Sequence, residues 1–139
     1  MEFQEYQHQL VQMERERGWD RVLPGHTFMH MGEEMGEIAR VLERFEGYRT
    51  TDQTVDQLRE ALAGELADLT AFVFKLASQF DIDMSDTMQA HLEKFRARFY
   101  DVEQGQAEMA RYLAHQEKNL DWIKGNKGAA GNMLHAPLD

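Results

Sequence analysis

Cysteine is absent from the chain, which excludes disulfides, thiol catalysis and cysteine-ligated zinc or iron–sulfur centres. Proline occurs only twice and glycine ten times in 139 residues, so few positions break a helix. No apolar run approaches the ~18 residues that span a membrane. The acidic start Met1-Glu2-Phe3-Gln4-Glu5 does not read as a signal peptide, and a cytoplasmic location is expected. Positive charge is in short supply: 15 Lys and Arg face 25 Asp and Glu, for a net charge of −10. That balance argues against binding to the backbone of a nucleic-acid polymer or to an anionic membrane. Two readings remain, a highly soluble protein or one whose carboxylates are partly engaged with cations.

What is present is helix-forming sequence of ordinary globular composition, 42% apolar and 29% charged, long enough for one domain. Residues 2–17 read as a first helix through Phe3, Tyr6, Leu10 and Met13, ended by the Gly18–Gly25 loop. Thr27 is expected to cap a second helix to about Glu46, with a narrow seam at Phe28, Met31, Met35, Ile38, Leu42 and Phe45. Thr54 and Gln57 make a capping box for a third helix. Its stripe of Val55, Leu58, Leu62, Leu66, Leu69, Val73, Leu76 and Phe80 repeats over about seven turns. Asp83 or Ser85 caps a fourth helix striped by Met88, Leu92, Phe95, Phe99 and Val102. Gly105 is expected to separate off a fifth helix from about Ala107 to Lys124, before a mobile tail. No strand pattern competes. The fold class is all-α, a bundle of four to five helices, with narrow seams that predict a core completed by a second copy of the chain.

The unusual feature is where the carboxylates fall. Glu34 lies on the edge of the second helix's seam with Glu37 beside it, and Glu33 further toward solvent. On the third helix Glu65 falls inside the edge of the stripe and Asp68 just beyond it. A single helical Glu is ordinarily solvated. Two pairs at i, i+3 on consecutive helices present four carboxylates toward one partly buried spot if those helices are antiparallel neighbours. Such a cluster calls for protonation or a bound cation, and an all-oxygen set suits a hard ion, Mg²⁺ or Mn²⁺. A di-iron bundle uses Glu-x-x-His on each of two helices, and the sequence does not supply two such motifs. His26 and His30, at i, i+4, offer a weaker alternative, a transition-metal clamp with Glu34 or Glu37, or simply a lining for the helix start. Downstream, Lys94 and Arg98 stand one turn apart along one edge of the fourth helix's stripe. Spacing fits two readings equally: solvated cations with their stems over the stripe, or a pair facing an anion. Metal, acidic cluster and cation pair together match what polyphosphate chemistry needs.

Glu33-Glu34-Met35-Gly36-Glu37, followed by Glu65-Leu66-Ala67-Asp68, resembles the EExxE…ExxD motif of the all-α nucleoside triphosphate pyrophosphohydrolases. Three further stretches are similar to MazG domains: Trp19-Asp20, the turn Phe80-Asp81-Ile82-Asp83, and Lys94-Phe95-Arg96-Ala97-Arg98-Phe99 with Val102-Glu103. The resemblance covers about residues 15–103. It implies Mg²⁺-dependent hydrolysis of a nucleoside triphosphate to monophosphate and pyrophosphate, with Mn²⁺ a possible substitute. Carried over by position, Glu34, Glu37, Glu65 and Asp68 bind metal, and Glu33 helps to activate the water. Lys94 and Arg98 contact the phosphates. Trp19 walls the base pocket, unless it is core. The family assembles as homodimers or dimers of dimers. The expected division is a MazG-like domain over 1–104, an additional helix over 105–124 and a flexible tail over 125–139. Two other functions stay open: a pyrophosphohydrolase dedicated to one nucleotide (dUTP, dCTP or phosphoribosyl-ATP), and a non-catalytic helical dimer acting as a regulatory module.

Overall fold

The structure, a computed structural model, describes residues 2–126. Five α-helices and no strand occur among the described residues: α1 (Phe3–Arg17), α2 (Pro24–Phe45), α3 (Val55–Ser78), α4 (Met84–Arg98) and α5 (Val102–Asn126), with a 3₁₀ turn at Trp19–Arg21. The all-α class therefore holds. Of the expected tail, residues 127–139 lie outside the described residues, and Gly125 is still within α5. No described helix is long and apolar enough to cross a membrane. The chain divides into two compact units, Met1–His91 and Leu92–Asp139.

Local chemistry explains several helix ends. The Thr54 hydroxyl accepts from the Gln57 amide at 3.2 Å while the Gln57 side chain accepts from the Thr54 amide at 2.8 Å, the capping box that starts α3. Asp83 rather than Ser85 caps α4: its Oδ1 accepts from the amides of Ser85 (2.8 Å) and Asp86 (3.2 Å). Gly47, at φ 77°, closes α2, letting the Tyr48 amide reach back to the Glu43 carbonyl at 2.9 Å. Two expected boundaries move. α2 begins at Pro24, whose fixed φ and missing N–H suit the first helical position, so Thr27 is interior and fully buried rather than a cap. α5 begins at Val102, where Asp101 Oδ1 accepts from the Gln104 amide at 2.8 Å, and Gly105 lies inside the helix rather than before it.

In the first unit α2 and α3 pack antiparallel, since His30 stacks on Phe72 while the Glu37 carboxylate lies within 4.8 Å of that of Glu65, further along α2 and further back along α3. α1 packs on α3, with Phe3 and Tyr6 against the Phe74 ring at 5.8 and 5.2 Å. Gln7, buried, ties α1 to the α3–α4 turn. Its Nε2 donates to the Ser78 hydroxyl (3.1 Å) and the Ile82 carbonyl (2.7 Å), and its Oε1 accepts from the Met84 amide (3.0 Å). A buried ion pair joins the same helices, Lys75 Nζ to Glu14 Oε1 at 2.9 Å.

Among the described residues the buried apolar side chains are few: Val41, Leu58, Phe74 and Ala77. The expected seam of α2 is only partly covered. Met31 and Ile38 are half-buried, whereas Phe28 (66% exposed), Met35 (62%), Leu42 and Phe45 face outward. The face that α2 turns to α3 runs through Thr27, Glu34 and Val41, one heptad apart and rotated from the apolar stripe. α3 shows the same division, with Leu58 buried and Val55, Leu66 and Phe80 exposed. In the second unit α5 is exposed along residues 102–125, including Met109, Leu113, Leu120 and Ile123.

Candidate active site

Glu34 stands in the row of α2 that packs on α3, which is why a charged side chain there becomes half-buried. Antiparallel packing then brings Glu65 of α3 opposite. Carboxylate oxygens of Glu34, Glu37 and Glu65 all lie within 4.8 Å of one another. Such crowding has an electrostatic consequence. The Glu34 carboxyl is held above its ordinary range by partial withdrawal from water, then by the charges of Asp68, Glu37, Glu65 and Glu33. The Glu65 carboxyl is raised by partial withdrawal from water, then by the Glu37 charge, a hydrogen bond with Glu37, and the Asp68 charge, with Arg40 pulling the other way.

Three of the four expected ligands thus converge. Asp68 acts on both Glu34 and Glu65 but stands outside the mutual 4.8 Å group, exposed and one methylene shorter in reach than a glutamate. Three mutually close carboxylates with a fourth beside them are a donor set suited to a hard divalent cation, which prefers oxygen and keeps several waters. The convergent group contains no histidine, so the His26–His30 clamp does not form. Instead the two rings meet edge to face at 4.6 Å, and His30 turns its Nδ1 to Glu33 Oε2 at 2.7 Å. Glu33 is exposed, as its place beyond the seam predicts.

Sequence reasoning missed two neighbours of the cluster. Arg40 pairs with Glu37 at 3.9 Å, an i, i+3 spacing that was available to notice. Phe72, stacked on His30 at 5.3 Å and 11°, had no such signal, because the contact needs the register of α2 against α3.

Trp19 is not core: it is 53% exposed on the 3₁₀ turn, with the Arg17 guanidinium 5.5 Å from its ring centroid. The turn is held from α3, where Lys75 Nζ donates to the Trp19 carbonyl (3.0 Å) and Gln79 Nε2 to the Val22 carbonyl (2.8 Å). Lys94 and Arg98 lie one turn apart on α4, both exposed, within the second unit, and the Arg98 guanidinium sits 5.2 Å from the Phe99 ring centroid.

Comparison with known proteins adds two matches. The model of a family described as the MazG nucleotide pyrophosphohydrolase domain matches residues 25–102, which contain α2, α3 and α4 apart from the first residue of α2. A Bacillus subtilis (strain 168) protein described as "Uncharacterized protein YvdC" is 30% identical over 87 residues, 60% of this chain and 82% of that protein. No solved structure gives a significant match.

Proposed function

Since the chain belongs to the MazG nucleotide pyrophosphohydrolase domain family, we propose that it hydrolyses nucleoside triphosphates to nucleoside monophosphate and pyrophosphate, with Mg²⁺ as its metal. The observation that carries this reading is the convergence of Glu34, Glu37 and Glu65 oxygens within 4.8 Å. A family of hydrolases that acts on nucleotides needs positive charge at the phosphates, and three crowded carboxylates supply a place to hold it. Glu34, Glu37, Glu65 and Asp68 would hold the ion, with Mn²⁺ able to replace it. The bound ion would neutralise phosphate oxygens as negative charge moves onto the leaving group. Glu33 accepts a proton from the attacking water. The water oxygen bonds to phosphorus, the bridging bond between the α and β phosphates breaks, and pyrophosphate leaves with the bridging oxygen or the monophosphate retains it, according to which phosphorus is attacked. Lys94 and Arg98 bind phosphate oxygens, Arg98 as a planar fork and Lys94 as a point charge. Trp19 lines the pocket for the base. A pool of soluble nucleotides as substrate fits a cytoplasmic location, which belongs to this proposal.

The exposed Phe28, Met35, Leu42 and Phe45 on α2 support assembly as a homodimer or a dimer of dimers, since water-facing apolar side chains in such number favour a partner surface. Sedimentation equilibrium tests that reading: a species of one chain's mass, 16.2 kDa, at micromolar concentration would overturn it.

The activity is tested by a pyrophosphatase-coupled phosphate assay on ribo- and deoxynucleoside triphosphates and phosphoribosyl-ATP, with and without Mg²⁺. Turnover of several triphosphates that stops on chelation is the expected result. Turnover of a single compound would identify a dedicated enzyme for dUTP, dCTP or phosphoribosyl-ATP. Silence across the panel in Mg²⁺ and in Mn²⁺ would overturn catalysis and leave a regulatory helical module.

A further inference from the structure

Three residues beyond the metal cluster, His30, Phe72 and His26, give Glu33 a setting that its exposed position on α2 does not announce. Its Oε2 lies 2.7 Å from His30 Nδ1. An ionised carboxylate only accepts, so Nδ1 is the donor of this hydrogen bond. Exposed i, i+3 pairs are ordinarily weak, largely because two mobile side chains must both be ordered. Here one of the two is ordered already. The His30 ring lies flat on Phe72 at 5.3 Å and 11°, and meets the edge of His26 at 4.6 Å and 76°. Phe72 is one turn beyond Asp68 on α3, and His30 one turn before Glu34 on α2, so the ring stack closes the same interhelical seam that holds the carboxylates. The donor is therefore anchored to both helices of the site, and only the Glu33 side chain remains to be ordered.

We propose that His30 is a positioning residue for Glu33: stacked on Phe72, it holds one oxygen of the Glu33 carboxylate and leaves the other directed for the water. The inference rests on the hydrolysis proposed above. A carboxylate with three rotatable bonds beside crowded like charges swings away from them when unrestrained, and a misplaced proton acceptor loses rate rather than substrate affinity.

Steady-state kinetics on His30→Phe and His30→Asn in the full chain, with Mg²⁺ and the best triphosphate of the panel, test it. His30→Phe retains a ring to stack on Phe72 and removes the donor. Its kcat should fall roughly tenfold, part of the 10²–10⁴ that a positioned acid or base contributes. KM and the Mg²⁺ concentration for half-activation should stay within about twofold, because Glu33 binds neither substrate nor metal in this reading. His30→Asn places an amide donor near the position of Nδ1 and should recover most of the lost kcat. In a Glu33→Gln background, whose slower turnover is the reference, His30→Phe should have almost no further effect. Wild-type kcat in His30→Phe, an equal loss in both backgrounds, or a change confined to KM would overturn the positioning role while leaving the hydrolysis standing. A wild-type protein inactive on the whole panel would instead overturn the hydrolysis, and this role with it.

Discussion

Breaking the buried pair between Lys75 and Glu14 is the sharpest test of the packing of α1 on α3. Both side chains are 9% exposed and their charged atoms are 2.9 Å apart. The same ammonium donates to the Trp19 carbonyl at 3.0 Å. Lys75→Met preserves most of the side-chain volume and removes the charge, leaving Glu14 ionised, buried and without its cation. Losing one partner of such a pair costs about 3–5 kcal/mol. The Trp19 carbonyl loses its side-chain donor in the same variant. About 4 kcal/mol is a large share of the 5–15 kcal/mol that holds a typical domain together. At about 3–5 °C per kcal/mol for a chain of this length, Tm should fall by roughly 10–20 °C. The double variant Glu14→Leu with Lys75→Met replaces both charges by apolar groups of similar size and should recover most of the loss, because the desolvation of two ions no longer opposes folding. Helical circular dichroism against temperature, at one protein concentration, reads all four corners of the cycle. A loss under about 1 kcal/mol in Lys75→Met would mean that water reaches the pair. A double variant no more stable than the worse single one would show that the cost came from lost shape rather than uncompensated charge.

Three further outcomes are expected from the site. Because the Glu34 and Glu65 carboxyls titrate above the ordinary 4.5, the folded chain binds more protons there than the unfolded one. Their contribution to metal-free stability is present below that pH and lost as pH rises through the raised values, so Mg²⁺ should stabilise the fold at pH 7–8, by about 2.7 kcal/mol at 100 times its Kd and with a corresponding rise in Tm, and not at pH 4; equal shifts at both pH values would refute shared occupancy. Glu65→Gln and Asp68→Asn should abolish hydrolysis while keeping or raising metal-free Tm, and Glu33→Gln should only slow turnover; kinetics in which Glu33→Gln alone inactivates would reverse that ranking. Lys94→Ala and Arg98→Ala should each weaken triphosphate far more than nucleoside, with less than additive effects in combination because one ligand is shared, and near-normal kinetics in all three variants would remove both from the site.

Which parts of this protein were legible in the sequence follows the range of the forces involved. The capping box of Thr54 and Gln57 and the closure of α2 by Gly47 are decided within a few residues, so residue types alone specify them, and they narrow the α4 cap to Asp83 or Ser85. Pro24 belongs with them as a missed local signal: it marks the first turn of α2 and reads equally as loop punctuation. The acidic residues were legible as pairs because i, i+3 spacing puts two side chains on one side of any helix.

Which face of a helix meets which partner is another matter, and only the tertiary structure decided it. Hydrophobic periodicity located a stripe on α2, yet the row that α3 covers is Thr27, Glu34 and Val41, with Met35 and Phe28 left outside. Periodicity measures how apolar a face is, not which of several apolar or polar neighbours arrives there. The register of α2 against α3 brought three carboxylates within 4.8 Å, set Asp68 beside rather than among them, and laid His30 on Phe72. The crossing of α1 over α3 paired Glu14 with Lys75, two charges far apart in the chain and unremarkable in it. Residue types and their spacing determined that this chain is all helix and carries an acidic pair on each of two helices. Their convergence depended on how whole helices settle against one another, where the free energy is shared among many weak contacts and no single residue announces the outcome.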